Sequence, residues 1–328
     1  MKAMTLALGA VLLSSASALA AWEPTKPIEI IVPYGPGGAS DQMARTIQAI
    51  VQKHELSKQS IIVVNKPGAA GAEAMMDLRK AQGNPYEMLT ASSSIYMTPM
   101  ATRLPVTYHD FTPVGMVAQD QFLVWVNAKS PYKTLPDLAE AAKKANPPLK
   151  MGGGGSKRED ELITYGVSSE LGVKFSYIPY KSGGEASTQL AGDHVVAETN
   201  NPSEDVANWR AGMTRPLCVL SPKRIAYTDK ITATEAWSDV PTCGEQGVKF
   251  TYNMVRGMFL PGKITADQRK YYEDLLVAVT KTPEWQDYLK RNALLADVRT
   301  GKDFEDFLNA DEAKHKKLMT EAGFIPTN

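Results

Sequence analysis

The chain has 328 residues, long for a single core and enough for two domains. Hydrophobic residues make up 43% and charged residues 22%, an ordinary globular balance that excludes a disordered or fibrous chain. With 36 basic and 36 acidic residues the formal net charge is zero, so there is no basic field to recruit nucleic acid and no polybasic surface for anionic lipid.

The chain opens with "MKAMTLALGAVLLSSASALA". Lys2 precedes an apolar run over residues 6–13, and Ala18-Leu19-Ala20 places small residues at −3 and −1 of a cleavage site. This pattern predicts a secretory signal peptide, residues 1–20, cut after Ala20. The run falls well short of the roughly 20 apolar residues that span a bilayer. Cleavage removes Lys2 and leaves a net charge of −1. Export also bears on the two cysteines, Cys218 and Cys243. In an oxidising compartment such a pair predicts a disulfide; the alternative is two free thiols, one of them buried on a strand.

Strands and helices then alternate. "PIEIIVPY" reads as a strand, followed by a helix over 41–54 that aligns Met43, Ile47, Ile50 and Val51 on one face. "SIIVVNK" is a strand, 71–81 a helix, and "YEMLTAS", "TPVGMVAQ" and "QFLVWVNA" are strands. Thr134 and Asp137 cap the next helix. "LKMGGGG" ends a strand, and helices over 156–171, 185–191 and 203–211 alternate with the strands "FSYIPY", "VVAETNN" and "RPLCVLS". After "MVRGMFLP" the tail is mostly helical, with a capping box at Thr265/Gln268 and an N-cap at Thr282 followed by Pro283.

This alternation predicts an α/β fold: two doubly wound lobes with parallel sheets and helices on both faces, joined by hinge strands. One crossing falls in "VAQDQFLVWVNAKSPY" and a second near "KFTYNMVRGMFL". The first lobe is then 21–124 plus 251–328, and the second 125–250. Ligands of such sheets bind at the carboxyl ends of the strands, here facing each other across a cleft.

Four strand–glycine–helix junctions fall at those ends: "YGPGGASD", "PGAAGAEA", "GGGGSKRED" and "YKSGGEAST". A helix start offers unpaired N–H groups and a partial positive charge, and glycine lets the backbone approach a ligand closely. Such junctions hold anions without a lysine, so a small carboxylate is the expected occupant. Each also has a plainer reading. Ser156 and Glu159 form a capping-box pattern, residues 157–160 read as a solvated first turn, and Asn200 and Asn201 are turn formers. Tyr34, Tyr96 and Tyr180 serve either as pocket walls or as packing. None of the junctions is a P-loop, no G-x-S-x-G elbow occurs, and the four histidines lack metal-ligand spacing, so neither catalysis nor a metal or cofactor is expected.

Several stretches carry a family resemblance. "W-x-P-x-K-P-I-x-I-I-V-P" leads into "GPGG-x-S-D-x-x-A-R", and "VVNKPGAAG", "SSSIYMTP", "DFTPVGMVA", "YIPYKSGGEASTQLAGDHV", "WRAGMTRPLCVLSPKR" and "DVPTCGEQG" follow in order over nearly all of the mature chain. The chain resembles the periplasmic solute receptors of tripartite tricarboxylate transporters, the Bug family. The resemblance implies a Venus-flytrap receptor without catalysis, a monomer in the periplasm. It would close on a carboxylate and dock on a membrane permease of one large and one small subunit. Carried over, the ligand contacts of the first lobe are Tyr34, Gly37, Gly38, Ala39, Ser40, Asp41, Ala70, Ser93 and Ser94. Those of the second are Gly154, Gly155, Ser156, Lys157, Ser182, Gly183, Gly184, Asn200 and Asn201. "GGGGSKREDELI" with "TNNP" resembles members for multiply carboxylated ligands: citrate-like, dicarboxylate, or aromatic such as terephthalate. Lys157, Arg158 or Lys181 would meet the second carboxylate. The rival readings are an exported hydrolase using the glycine loops as an oxyanion site, and a ligand sensor for a signalling kinase.

Overall fold

The structure is a computed structural model that describes residues 22–325, so the expected signal peptide lies outside the described residues. The first lobe opens with β1 (Ile28–Val32), α1 (Ala39–Lys53), β2 (Ile61–Asn65), α2 (Ala72–Lys80), β3 (Glu87–Ala91), α3 (Ser94–Thr102) and β4 (Thr112–Gln121). The chain then crosses into β5 (Leu123–Asn127), α4 (Leu135–Lys144), β6 (Leu149–Gly154), α5 (Glu159–Leu171), β7 (Phe175–Tyr180), α6 (Gly183–Ala191), β8 (Ala197–Asn200), α7 (Pro202–Arg210) and β9 (Thr214–Val219). It returns through β10 (Asn253–Leu260), followed by α8 (Ala266–Thr280), α9 (Pro283–Arg291), β11 (Arg299–Thr300) and α10 (Gly301–Glu321).

Two sheets result, ordered β11-β4-β10-β3-β1-β2 and β7-β6-β8-β5-β9. The expectation of parallel sheets holds only in part. β1 pairs parallel with β2 and β3, and β6 with β7 and β8, whereas β10 runs antiparallel to β3 and β4, and β5 to β8 and β9. The strands that carry the chain between lobes cause the difference: a strand entering a sheet without a crossover helix can pair antiparallel. At the crossing, Leu220 N–H donates to the Phe122 carbonyl at 2.8 Å and Tyr252 N–H to the Leu220 carbonyl at 2.8 Å. The rings of Phe122 and Tyr252 meet edge-on at 5.6 Å between centroids.

β1 shows why its residues read as a continuous apolar run. Ile30 packs with Met43, Ile47, Ile50 and Val51 of α1, while Ile31 packs on the opposite face with Met75 and Leu78 of α2. In the second lobe Trp125, Trp209 and Trp237 cluster with centroids 4.8–6.1 Å apart. The capping boxes at Thr134/Asp137 and Thr265/Gln268 form, and Thr282 caps α9 with Pro283 in its first turn. Cys218 and Cys243 are joined as a disulfide, with Cα atoms 4.9 Å apart. Two helix readings are corrected. The helix expected from 156 starts at Glu159, and α3 was not read from the sequence because "SIYMTPMAT" has no polar face and carries Pro99.

Candidate interlobe binding site

A cavity of about 680 Å³ lies between the lobes, lined from both sides. The first wall is the loop between β1 and α1. Tyr34, Gly37, Gly38, Ala39 and Ser40 all line it. Gly37 takes φ +84°, the left-handed region, and Gly38 caps α1 with no side-chain acceptor, which leaves the helix start uncapped at residues that line the cavity. Asp41 is not a lining residue. Its carboxylate turns back to accept from Gly37 N–H at 2.9 Å, Arg45 Nε at 3.0 Å and Asn65 Nδ2 at 2.9 Å. Burial pushes that carboxyl up, but these hydrogen bonds outweigh it and hold it below the usual range. Asp41 therefore shapes the loop.

Ala70 lines the cavity from the β2–α2 connection, at φ +55° beside Ala69 at φ +44°. Two consecutive alanines in the left-handed region are strained, and their position against the cavity ties that strain to the site. Of the three serines after β3, Ser92 lines the cavity; Ser93 and Ser94 do not, although Ser94 joins the interlobe contact. The Tyr34 hydroxyl lies 3.2 Å from Ser92 Oγ and 2.9 Å from Ser94 Oγ.

The second lobe presents Gly154 and the starts of α5, α6 and α7. Ser182 caps α6, accepting from Glu185 N–H at 3.2 Å, and Ser182, Gly183 and Gly184 all line the cavity. Asn200 and Asn201 line it as well; Asn200 Nδ2 donates to the Gly183 carbonyl at 2.9 Å. Gly155, Ser156 and Lys157 lie outside the lining. Ser156 Oγ donates to Glu161 Oε2 at 3.0 Å, so the expected capping pair with Glu159 does not form. Lys157 is exposed at φ +54°, while Arg158 and Lys181 do line the cavity. Of the three tyrosines, Tyr34 alone is in the lining; Tyr96 is buried and donates to Asp311.

Two cavity-lining positions were not read from the sequence. Glu159, on α5, reaches across the cleft, and its Oε1 accepts from Ser92 Oγ and Ser94 Oγ at 3.1 Å each. Burial pushes its carboxyl up, but Arg158, 3.5 Å away, its helix-start N–H and Ser94 hold it below the usual range. Arg158 itself sits 5.1 Å from the centre of the Tyr34 ring in the other lobe. The second position is Arg256 on β10, 4% exposed. Its Nε donates to Asp120 Oδ2 at 3.1 Å, its Nη2 to the same oxygen, and its Nη1 to Ser40 Oγ at 3.1 Å. Arg256 and its partner Asp120 left a signal, a lone arginine in "MVRGMFL" and a lone aspartate in "VAQDQFLVWV", whereas Glu159 left none beyond its capping-box spacing from Ser156.

The assembled groups are anion-binding in kind: open helix starts in both lobes, serine hydroxyls, the buried guanidinium of Arg256 and the half-buried one of Arg158. None of His54, His109, His194 or His315 is in the lining. Among the described residues no group of three His, Cys, Asp or Glu is placed to hold a metal, and no helix is long and apolar enough to cross a membrane.

Comparison with known proteins places this arrangement. The ligand-free crystal structure of a TctC solute-binding protein from Polaromonas is 27% identical, with a TM-score of 0.71 over 91% of this chain and 99% of that one. Two structures from Rhodopseudomonas palustris share the fold. Rpa4515 with adipate is 23% identical, with a TM-score of 0.83 over 93% of this chain and 99% of that one. MatC with bound malate is 18% identical, with a TM-score of 0.76 over 90% and 99%. The model of the tripartite tricarboxylate transporter family receptor matches residues 43–324. This chain belongs to that receptor family.

Proposed function

We propose that the protein is exported, with cleavage after Ala20, and that it acts in the periplasm as a monomeric receptor for a small di- or tricarboxylate. It delivers the captured ligand to a tripartite-type permease of one large and one small subunit. The lobes that close on the ligand are 21–124 with 251–328, and 125–250. The observation that carries this reading is the convergence on one cavity of Arg256, Ser40 and the uncapped start of α1 from one side, and of the α6 start from the other. Buried carboxylates need their lone pairs met, and backbone N–H groups, hydroxyls and guanidiniums meet them. Relatives holding adipate and malate support the carboxylate class. Closure is a hinge motion driven by contacts the ligand makes only when both walls reach it.

A thermal-shift screen of carboxylates tests the reading. A ligand at a hundredfold excess over its Kd raises stability by about 2.7 kcal/mol. At least one acid gives that shift, and Ser40→Trp, which fills the space beside Arg256, removes it. A screen in which no acid shifts the melt sinks the reading. Co-purification of the permease with the liganded protein tests delivery.

A further inference from the structure

The cavity is not a plain anion cradle. Three basic side chains line it, Arg158, Lys181 and Arg256, against three acidic ones, Glu159, Asp160 and Glu204. Arg256 is already committed to Asp120 behind it, and Arg158 lies beside Glu159. Glu159 is satisfied by Ser92 and Ser94, and Asp160 accepts from Gly154 N–H through Oδ2 at 3.1 Å, while its Oδ1 is buried without a partner among the described residues. Glu204, in the first turn of α7, stands apart in its position. Its Oε2 is buried without a hydrogen-bond partner among the described residues. It stands against the start of α6: a Cβ placed on Gly183 would fall 2.0 Å from Glu204 Oε2 and 2.3 Å from Asn200 Oδ1. Two acceptor oxygens thus converge on one stretch of the cavity wall. Asn200 Oδ1 accepts one hydrogen bond, from Asn201 N–H at 2.9 Å, and keeps a second lone pair.

A ligand that is only a dianion answers none of this. Whatever meets its second carboxylate, the buried acceptor of Glu204 stays unpaired. We propose that Glu204 is a specificity-determining residue that accepts a hydrogen bond from a donor group on the ligand, hydroxyl or ammonium. The preferred ligand is then a hydroxy- or amino-carboxylate rather than an unsubstituted dicarboxylate. This inference rests on the carboxylate reading above.

The test is calorimetry on the mature protein with two matched sets of acids. Succinate, malate and aspartate differ only in carrying hydrogen, hydroxyl or ammonium at one carbon; glutarate, 2-hydroxyglutarate and glutamate repeat the comparison one carbon longer. In at least one set a donor-bearing acid binds about tenfold or more tighter than its unsubstituted partner, the scale of a charge-assisted hydrogen bond. Glu204→Gln keeps the shape and an acceptor oxygen but drops the charge, so it narrows an ammonium preference more than a hydroxyl one. Glu204→Leu removes either preference, so the donor-bearing acid falls to the affinity of its unsubstituted partner in the same variant. A purely structural role would lower all affinities together and leave the ratios unchanged. The wild-type comparison needs no variant to fold. Equal or tighter binding of the unsubstituted acid in both sets overturns the proposal and leaves the carboxylate reading standing. So does tighter binding of those acids at lower pH, the mark of a protonated Glu204 donating to them. Ratios that survive both substitutions overturn it, and so does failure of all six acids to bind; only silence across the wider screen overturns the carboxylate reading too.

Discussion

Glu159 of the second lobe and Ser94 of the first are joined directly, at 3.1 Å, across the cleft. The same carboxylate oxygen accepts from Ser92, and the neighbouring Arg158 lies over the Tyr34 ring. The lobes therefore carry a clasp of their own, built from the dipeptide at the start of α5. Charge-assisted hydrogen bonds of this kind contribute about 1.5–3 kcal/mol each way between made and unmade. Glu159→Ala is expected to shift the ligand-free protein toward the open form, read as a larger radius of gyration in X-ray scattering. Saturating ligand restores the closed dimension. Identical scattering profiles for wild type and variant without ligand would show that the clasp does not hold the lobes.

The Arg256–Asp120 pair is a second buried charge arrangement, with side chains 5% and 0% exposed. Removing one partner leaves the other uncompensated, a loss of about 3–5 kcal/mol, whereas replacing both by apolar groups is often near neutral. Arg256→Met is expected to lose stability on that scale in urea, and Arg256→Met with Asp120→Leu to recover most of it. Both variants lose carboxylate affinity, because Ser40 loses its guanidinium partner either way. Recovery of binding in the double variant would remove Arg256 from the site.

These two positions show what the sequence could and could not reveal. Periodicity identifies which face of an element is buried, and glycine junctions identify where helices begin; both were legible in "IEIIVPYGPGGASD" and in the capping boxes. What faces a helix start across a cleft is a matter of tertiary placement. Glu159 read as the local partner of Ser156 because the two are spaced for a capping box, yet Ser156 bonds Glu161 and Glu159 turns to the other lobe. Asp41 stood within the anion loop in sequence but holds that loop from behind, through Arg45 and Asn65. Arg256 was visible as a charge inside an apolar strand, a pattern that buried pairs and functional sites share.

Acid sensitivity has a local source beside the disulfide. Glu245 accepts from Arg224 at 2.7 Å and from Thr242 N–H at 2.6 Å, and its carboxyl is lowered from 4.5 to about 2, chiefly by Arg224. A group whose folded pKa is depressed binds fewer protons than in the unfolded chain. Its contribution is therefore present above about 4.5 and fades as pH falls through about 2. Being an exposed pair, it contributes little. Glu245→Gln is expected to melt slightly below wild type at pH 7, with the gap closing toward pH 2. A gap that widens on acidification would contradict the assignment.

The bridge itself is the larger local contribution. Cys218 and Cys243 are 0% and 1% exposed, and their disulfide closes a separation of 25 residues. In the chain-entropy treatment a loop of that size is worth about 3 kcal/mol. The double substitution of both cysteines by alanine is expected to lower the urea midpoint accordingly and leave ligand affinity unchanged, since neither residue lines the cavity. A loss of affinity out of proportion to stability would instead show that the bridge orients the binding walls.

Gly183 separates binding from stability most sharply. It opens α6, and alanine is the better helix former by about 1 kcal/mol in a helix interior, so the local backbone tolerates the change. The added Cβ would nonetheless fall on Glu204 Oε2 and Asn200 Oδ1, both well inside contact distance. The carboxyl of Glu204 can swing aside; Asn200 is held by its bond to the Gly183 carbonyl and by Asn201 N–H. Gly183→Ala is therefore expected to push the acceptor pair out of register and weaken carboxylate binding at least tenfold, the equivalent of about 1.4 kcal/mol. Its melting temperature without ligand should move far less than that of Arg256→Met. Undiminished affinity in calorimetry would mean that the α6 start and the Asn200 side chain do not form a binding wall.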